Sequence, residues 1–184
     1  TFWHGIARVL RDANHRRAFG FSALLMFTGF TVIPYITIFM QTNVGVRTEQ
    51  IPLIYLFGGV GSLLVARWVG RMSDRLGKAR TFQYMACALV VPLFGVTLLP
   101  TLWPGPVVPI AAVLVVSSSM FICMSGRMIP GMALLTSAAQ PALRGTFMAL
   151  NASVQSAAMG LAALVGGLII SRDAAGLVQH YGWN

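Results

Sequence analysis

The sequence predicts an all-α protein that crosses a membrane about five times, and three observations carry that expectation. Of 184 residues, 57% are hydrophobic and 9% are charged, against about 25% charged in an ordinary soluble domain. Four stretches, 18–46, 50–66, 81–126 and 145–171, hold no Asp, Glu, Lys or Arg, and a helix needs ~20 apolar residues to span a bilayer. The remaining charge alternates from one loop to the next, basic then neutral, as positive-inside topology requires.

Residues 1–18 read as a cytoplasmic loop segment, with Arg8, Arg11, Arg16 and Arg17 against Asp12. A transmembrane bundle over 19–184 follows. Its first span, about 19–40, carries Thr28, Gly29, Phe30, Thr31, Pro34 and Tyr35 near the centre. Pro34 has no N–H for the Phe30 carbonyl, so the helix bends or loosens there. Lipid tolerates a freed carbonyl only where protein or a water-filled cavity receives it. Thr31, Pro34 and Tyr35 are therefore candidates for a substrate pathway; the alternative is a packing kink with the threonines bonded back to their own helix. Phe30 and Tyr35 suit an apolar or amphipathic solute.

A neutral loop with Arg47 and Glu49 leads to the second span, about 51–70. There Gly58, Gly59, Gly61 and Ser62 form a small-residue patch for close helix packing, and Arg67 can reach the interface by snorkelling. After a basic loop at 71–80, the run 81–126 is too long for one span. Pro100, Pro104, Gly105, Pro106 and Pro109 divide it, giving spans of about 81–99 and 107–137.

The fourth span holds Arg127, Pro130 and Gly131. A cation is expensive in lipid unless paired or near water, which makes Arg127 a gating or coupling candidate, with snorkelling as the alternative. Arg144 closes the next basic loop. In the fifth span, about 145–171, Asn151 and Gln155 are one turn apart on a single face. A cavity or interhelical hydrogen bonding would account for them.

The net charge of +9 sits in loops without a basic face interleaved with aromatics, which argues against nucleic acid. Cys87 and Cys123 fall inside spans and read as small buried hydrophobes. His4, His15 and His180 fall in tails or loops, and no Asp or Glu lies deep in a span. No nucleophile–base pair, metal cluster or cofactor motif is apparent, so an enzyme is not expected. By the charge rule, residues 1–18, 71–80 and 138–144 are cytoplasmic.

The 71–80 loop has a pattern of its own: Gly70, Asp74, Arg75, Gly77, Lys78 and Arg80. Gly77 can take positive φ and end a helix tightly, while the cations attract anionic lipid. The pattern resembles the major facilitator superfamily signature G-x-x-x-D-R-x-G-[RK]-x-[RK]. That resemblance implies two six-helix halves rocking about a midplane site, with Asp74 and Arg75 latching the halves in one state.

The family repeats this signature after its second and eighth helices. The basic lead-in 8–17, the likeness of 144–155 to the eleventh helix of bacterial drug and sugar efflux members, and the lack of a Gly-Pro antiporter signature in the last span favour the second copy. Arg127 and Gly131 are similar to the family's R-x-x-x-G pattern. On this reading the spans are helices seven to eleven of twelve, a carboxyl-terminal portion with its final helix missing. Arg144 and Gly145 would meet the reciprocal loop of the missing amino-terminal half.

The expected function is secondary active efflux of a small organic solute (drug, sugar or metabolite) by proton antiport in a bacterial inner membrane. Its partners would be the solute, the lipid bilayer, protons and the missing half, which would hold the proton-carrying carboxylate. Uptake or facilitation on the same fold, and a non-transporting scaffold or sensor, are the alternatives.

Overall fold

The computed structural model describes residues 2–103, 108–172 and 178–179. Pro104, Gly105 and Pro106, expected to help part the third and fourth spans, and Val107, expected to begin the fourth, lie outside these residues, as do Asp173 and His180. Among the described residues the helices are α1 (Phe2–Arg11), α2 (Ala13–Phe30), α3 (Ile33–Thr42), α4 (Ile51–Leu76), α5 (Lys78–Leu102), α6 (Ile110–Ala138) and α7 (Arg144–Ile169). Two-residue strands, Ser171–Arg172 and Val178–Gln179, pair antiparallel after α7. Among the described residues five segments are long and apolar enough to cross a bilayer: Ala13–Thr42, Thr48–Leu76, Lys78–Leu102, Ile110–Ala138 and Pro141–Ile169. The chain is a multi-pass membrane protein with an all-helical bundle.

Several features differ from the sequence expectation, each for a local reason. The amino-terminal stretch, read as a loop, is helical. Asp12 ends α1 and caps α2, its Oδ1 accepting the Asn14 N–H at 2.7 Å and the His15 N–H at 3.3 Å, as an N-cap aspartate should. The first membrane helix thus begins at Ala13, and His15, expected in a loop, lies in its first turn, fully buried. Pro100 does not end the third span. It sits in the last turn of α5, where losing one bond to the preceding turn is cheap, and the helix runs on to Leu102. Cys87 is exposed rather than buried, because it shares a lipid-directed face of α5 with Tyr84, Val91 and Phe94.

Packing is organised around α6. Towards α4, small residues admit its side chains: a Cβ on Gly58 would lie 2.8 Å from the Phe121 ring, and one on Gly61 would lie 2.6 Å from Ile122 Cδ1. Ser62 donates to the Gly58 carbonyl at 2.7 Å and to Phe121 O of α6 at 3.3 Å. Towards α5, Val116 fills the notch at Gly95, and Met85 fills the one at Gly126. The small-residue patch of the second span is therefore a packing surface. On the other side, α7 packs Ala158 against Leu25 and Met26 of α2 and brings Gly166 against Thr31 and Tyr35; Ala158, Ala162 and Gly166 are all buried.

Burial is concentrated at the two ends of the bundle. Near the neutral loops Ile36, Phe39, Met40, Ile54, Val96, Leu99 and Val113 form one cluster. Near the basic loops Val9, Phe19, Leu135, Leu143 and Phe147 form another. Between them the buried cluster shrinks to Leu25, Met26 and Ala158. Leu63, Leu64, Val91 and Leu168, each about three-quarters exposed, point outward, a distribution that suits lipid rather than water.

Replacing Gly58 by Val should lower the thermal unfolding midpoint of the purified protein, since overpacking costs about 1–3 kcal/mol. Gly59→Ala, where nothing lies within 4 Å of a new Cβ, should not lower it. The backbone hydrogen bonds from Asn14 and His15 hold the Asp12 carboxyl below its ordinary value. A depressed folded-state pKa contributes stability above the unfolded value, and that contribution is lost as pH falls through the folded one. Unfolding followed across the acidic range should show this loss in wild type and a shallower one in Asp12→Asn.

Candidate substrate pathway

The first span is broken at its centre. α2 ends at Phe30 and α3 begins at Ile33, with Pro34 in its first turn. Proline cannot donate to the Phe30 carbonyl. α2 ends on a regular i→i−4 bond, Thr31 N–H to Phe27 O at 3.1 Å, and the backbone then tightens into an i→i−3 turn, Val32 N–H to Gly29 O at 3.3 Å. Thr28 and Thr31 also bond back to their own helix, to Leu25 O at 3.2 Å and Thr28 O at 3.4 Å.

Opposite this break lies Arg127 of α6. It is 8% exposed, and its Nη1 donates to Thr28 Oγ1 at 3.3 Å, so the guanidinium turns towards α2 and does not snorkel away. A Cβ on Gly29 would meet Arg127 Nη2 at an ordinary contact distance of 3.6 Å and crowd the flexible end of Met124, 2.9 Å from its Cε. The carboxyl end of α2 carries partial negative charge from its unpaired carbonyls, which favours a nearby cation. Two cavities, of ≈ 190 and ≈ 270 Å³, flank the arginine. Leu25, Met26, Phe30, Ile33 and Met128 line the first; Thr28, Thr31, Val32, Leu89 and Leu93 line the second; Met124 and Arg127 border both.

The structure thus brings together Thr31 and Arg127 of the residues singled out from sequence. It places the others elsewhere. Tyr35 donates to Ala163 O of α7 at 2.6 Å, and its ring rests where Cβ atoms on Gly166 and Gly167 would be, 2.7 and 2.8 Å from its atoms. Pro34 is exposed at the start of α3. Gln155 Nε2 donates to Ser22 Oγ of α2 at 2.9 Å. Asn151, one turn before it, is 2% exposed with its Oδ1 unpartnered. These two amides lie at the α2–α7 contact, and neither lines the two cavities beside Arg127.

The cavity linings Met124, Met128, Leu89 and Leu93 went unremarked in the sequence. Their signal was helical spacing: Met124 and Met128 flank Arg127 on one face of α6. Among the described residues no three His, Cys, Asp or Glu side chains gather as a metal site would require.

The basic loop closes with a glycine turn, as its pattern implied. Gly77 has φ 87° and both ends α4 and starts α5, a conformation costly for any other residue. Thr81 Oγ1 and N–H both bond to Gly77 O, and Lys78 Nζ donates to Ala133 O of α6 at 3.3 Å. Gly70 lies half-buried within α4; Asp74, Arg75 and Arg80 are exposed, and Asp74 has no partner among the described residues. Arg144 and Gly145 are exposed at the start of α7.

A sequence profile of the Major Facilitator Superfamily matches residues 3–173. The chain belongs to the major facilitator superfamily. No curated protein and no solved structure matches it. Members of this superfamily are membrane transporters rather than enzymes, so the lipid bilayer is this chain's solvent and a small molecule is its substrate. Residues Gly70 to Arg80 sit on a helix–turn–helix joint between two of its spans.

The Ser22–Gln155 bond should show a coupling of about 0.6–2 kcal/mol in a double-mutant cycle of Ser22→Ala and Gln155→Leu read by unfolding in detergent. Zero coupling would mean that the two side chains are not bonded in the folded protein.

Proposed function

We propose that this chain is a carboxyl-terminal part, helices seven to eleven, of a secondary active exporter in a bacterial inner membrane. It moves a small organic solute by alternating access, in the manner of the drug and sugar efflux proton antiporters its 144–155 segment resembles. The observation that supports this most is the broken first span with Arg127 held against it, flanked by two cavities in the part of the bundle with least packing. A helix interrupted at mid-membrane and lined by a cavity is how transporters build a solute site.

The remaining assignments follow from charge and exposure. Residues 1–18 and the loops 71–80 and 138–144 face the cytoplasm, because basic loops stay on that side. Asp74 is exposed and unpartnered, which suits a carboxylate that meets a helix end of the other half in only one conformational state. Arg144 and Gly145 meet the reciprocal loop. The acidic residues of the described spans, Glu49 and Asp74, are exposed near the two ends of Thr48–Leu76, and the proton-carrying carboxylate is assigned to the amino-terminal half.

Two measurements on the full-length protein test this. Solute should accumulate in inside-out vesicles energised by a proton gradient and should leak out when the gradient is collapsed; accumulation only in right-side-out vesicles would make it an uptake system. Asp74→Asn should slow transport by about tenfold, within the 1–3 kcal/mol usual for coupling between states. It should change unfolding stability by no more than ~0.5 kcal/mol, as for other exposed sites. Unchanged transport in this variant would remove the latch role.

A further inference from the structure

Arg127 is the one Lys, Arg, Asp or Glu buried among the described residues. Its Nη1 reaches a neutral hydroxyl, Thr28 Oγ1, and its Nε has no acceptor. The chain has four acidic residues, and none of the three described is placed to neutralise it. Asp12 lies at the amino end of α2 with its carboxylate committed to Asn14, His15 and Gln140. Glu49 and Asp74 are exposed near the two ends of Thr48–Leu76, and Asp173 lies outside the described residues. The carboxyl end of α2 offers about half an elementary charge. An arginine so desolvated, without a full counter-charge, is costly to keep.

The surroundings say what kind of anion would relieve it. The charged donor is the guanidinium; Thr28 and Thr31 beside it give their hydroxyl protons to their own helix, and Ser125 adds a hydroxyl to the first lining. The side chains that make up the rest of that wall are apolar, Leu25, Met26, Phe30, Ile33 and Met128 among them. An inorganic anion would leave those walls facing its hydration shell. A carboxylate or sulfonate on a hydrocarbon body would instead receive forked donors at one end and adaptable thioether and aliphatic contacts at the other. Cavities of ≈ 190 and ≈ 270 Å³ hold a ring or short chain beside the charged head.

We propose that the site beside Arg127 binds amphipathic organic monoanions, the Arg127 guanidinium taking the anionic head and the Met26–Met128 wall the apolar body. This rests on the transport reading, and it names the substrate class of that site. Arg127 is then the residue that sets charge selectivity.

The test uses the full-length transporter in lipid nanodiscs and equilibrium binding of matched probes: benzoate, 1-naphthoate and indole-3-acetate, their uncharged amides, and the corresponding amines. At least one acid should bind about tenfold more tightly than its amide, the scale of one charge-assisted hydrogen bond, and the amine should bind most weakly. Arg127→Gln should abolish the acid preference while leaving amide affinity in place, and Arg127→Lys should keep part of it. The wild-type order of acid, amide and amine decides the matter even where Arg127→Gln fails to fold. Equal binding of acid and amide, a preference for amines, binding of no acid above empty nanodiscs, or full acid preference in a folded Arg127→Gln protein would each overturn the proposal. A carboxylate from another part of the protein pairing with Arg127 would give the first or second of these results. Movement of neutral or cationic solutes by a protein that fails the order would leave transport standing and remove the anion site. Acid-selective, Arg127-dependent binding with no solute moved would remove transport and leave the site.

Discussion

Hydrocarbon gives a freed backbone group nothing to bond to, and the break in the first span is where this bundle meets that constraint. Pro34 removes one donor, and the chain between Phe30 and Ile33 loses helical order. The surrounding helices are arranged to contain the consequence. α7 approaches so closely that Thr31 O lies 3.1 Å from where a Gly166 Cβ would be, and Tyr35 reaches across to Ala163 O. α6 supplies the guanidinium of Arg127 from the other side.

Small residues decide how near those partners come. Gly58 and Gly61 on α4, Gly95 on α5 and Gly126 on α6 each make a notch for a side chain of a neighbouring helix. Close contact matters because lipid competes with side chains for apolar surface, so helix association must come from fit. Dense packing at both ends and sparse packing between them concentrates empty volume beside Arg127. The same distribution that holds the bundle together thus leaves room for a solute.

At the basic end a second polar arrangement ties the membrane helices to the short segment before α7. Gln140 N–H donates to His15 Nε2 at 3.3 Å, and Gln140 Nε2 donates to Asp12 Oδ2 at 2.6 Å. With Nε2 accepting, Nδ1 carries the proton and donates to Val9 O at 3.3 Å. The imidazole also packs on Phe147, 4.9 Å between ring centroids. These contacts fix α1, α2 and the start of α7 relative to one another, next to the exposed Arg144 and Gly145.

Composition and charge placement alone determined that this chain is a bundle of about five membrane helices, because hydrocarbon length and helix rise leave few other solutions for apolar runs. The motif Gly70 to Arg80 carried the family, and Gly77 carried the turn, since a single glycine at positive φ is a local property. The proline break was equally legible, because a missing N–H depends on nothing distant. What faces the break was not. Asn151 and Gln155 looked like Arg127 from sequence, polar groups on apolar helices, yet two of them went to the α2–α7 contact and one to the cavity. Periodicity states which residues share a face; only the packing of α2 between α6 and α7 decided which neighbour each face would meet.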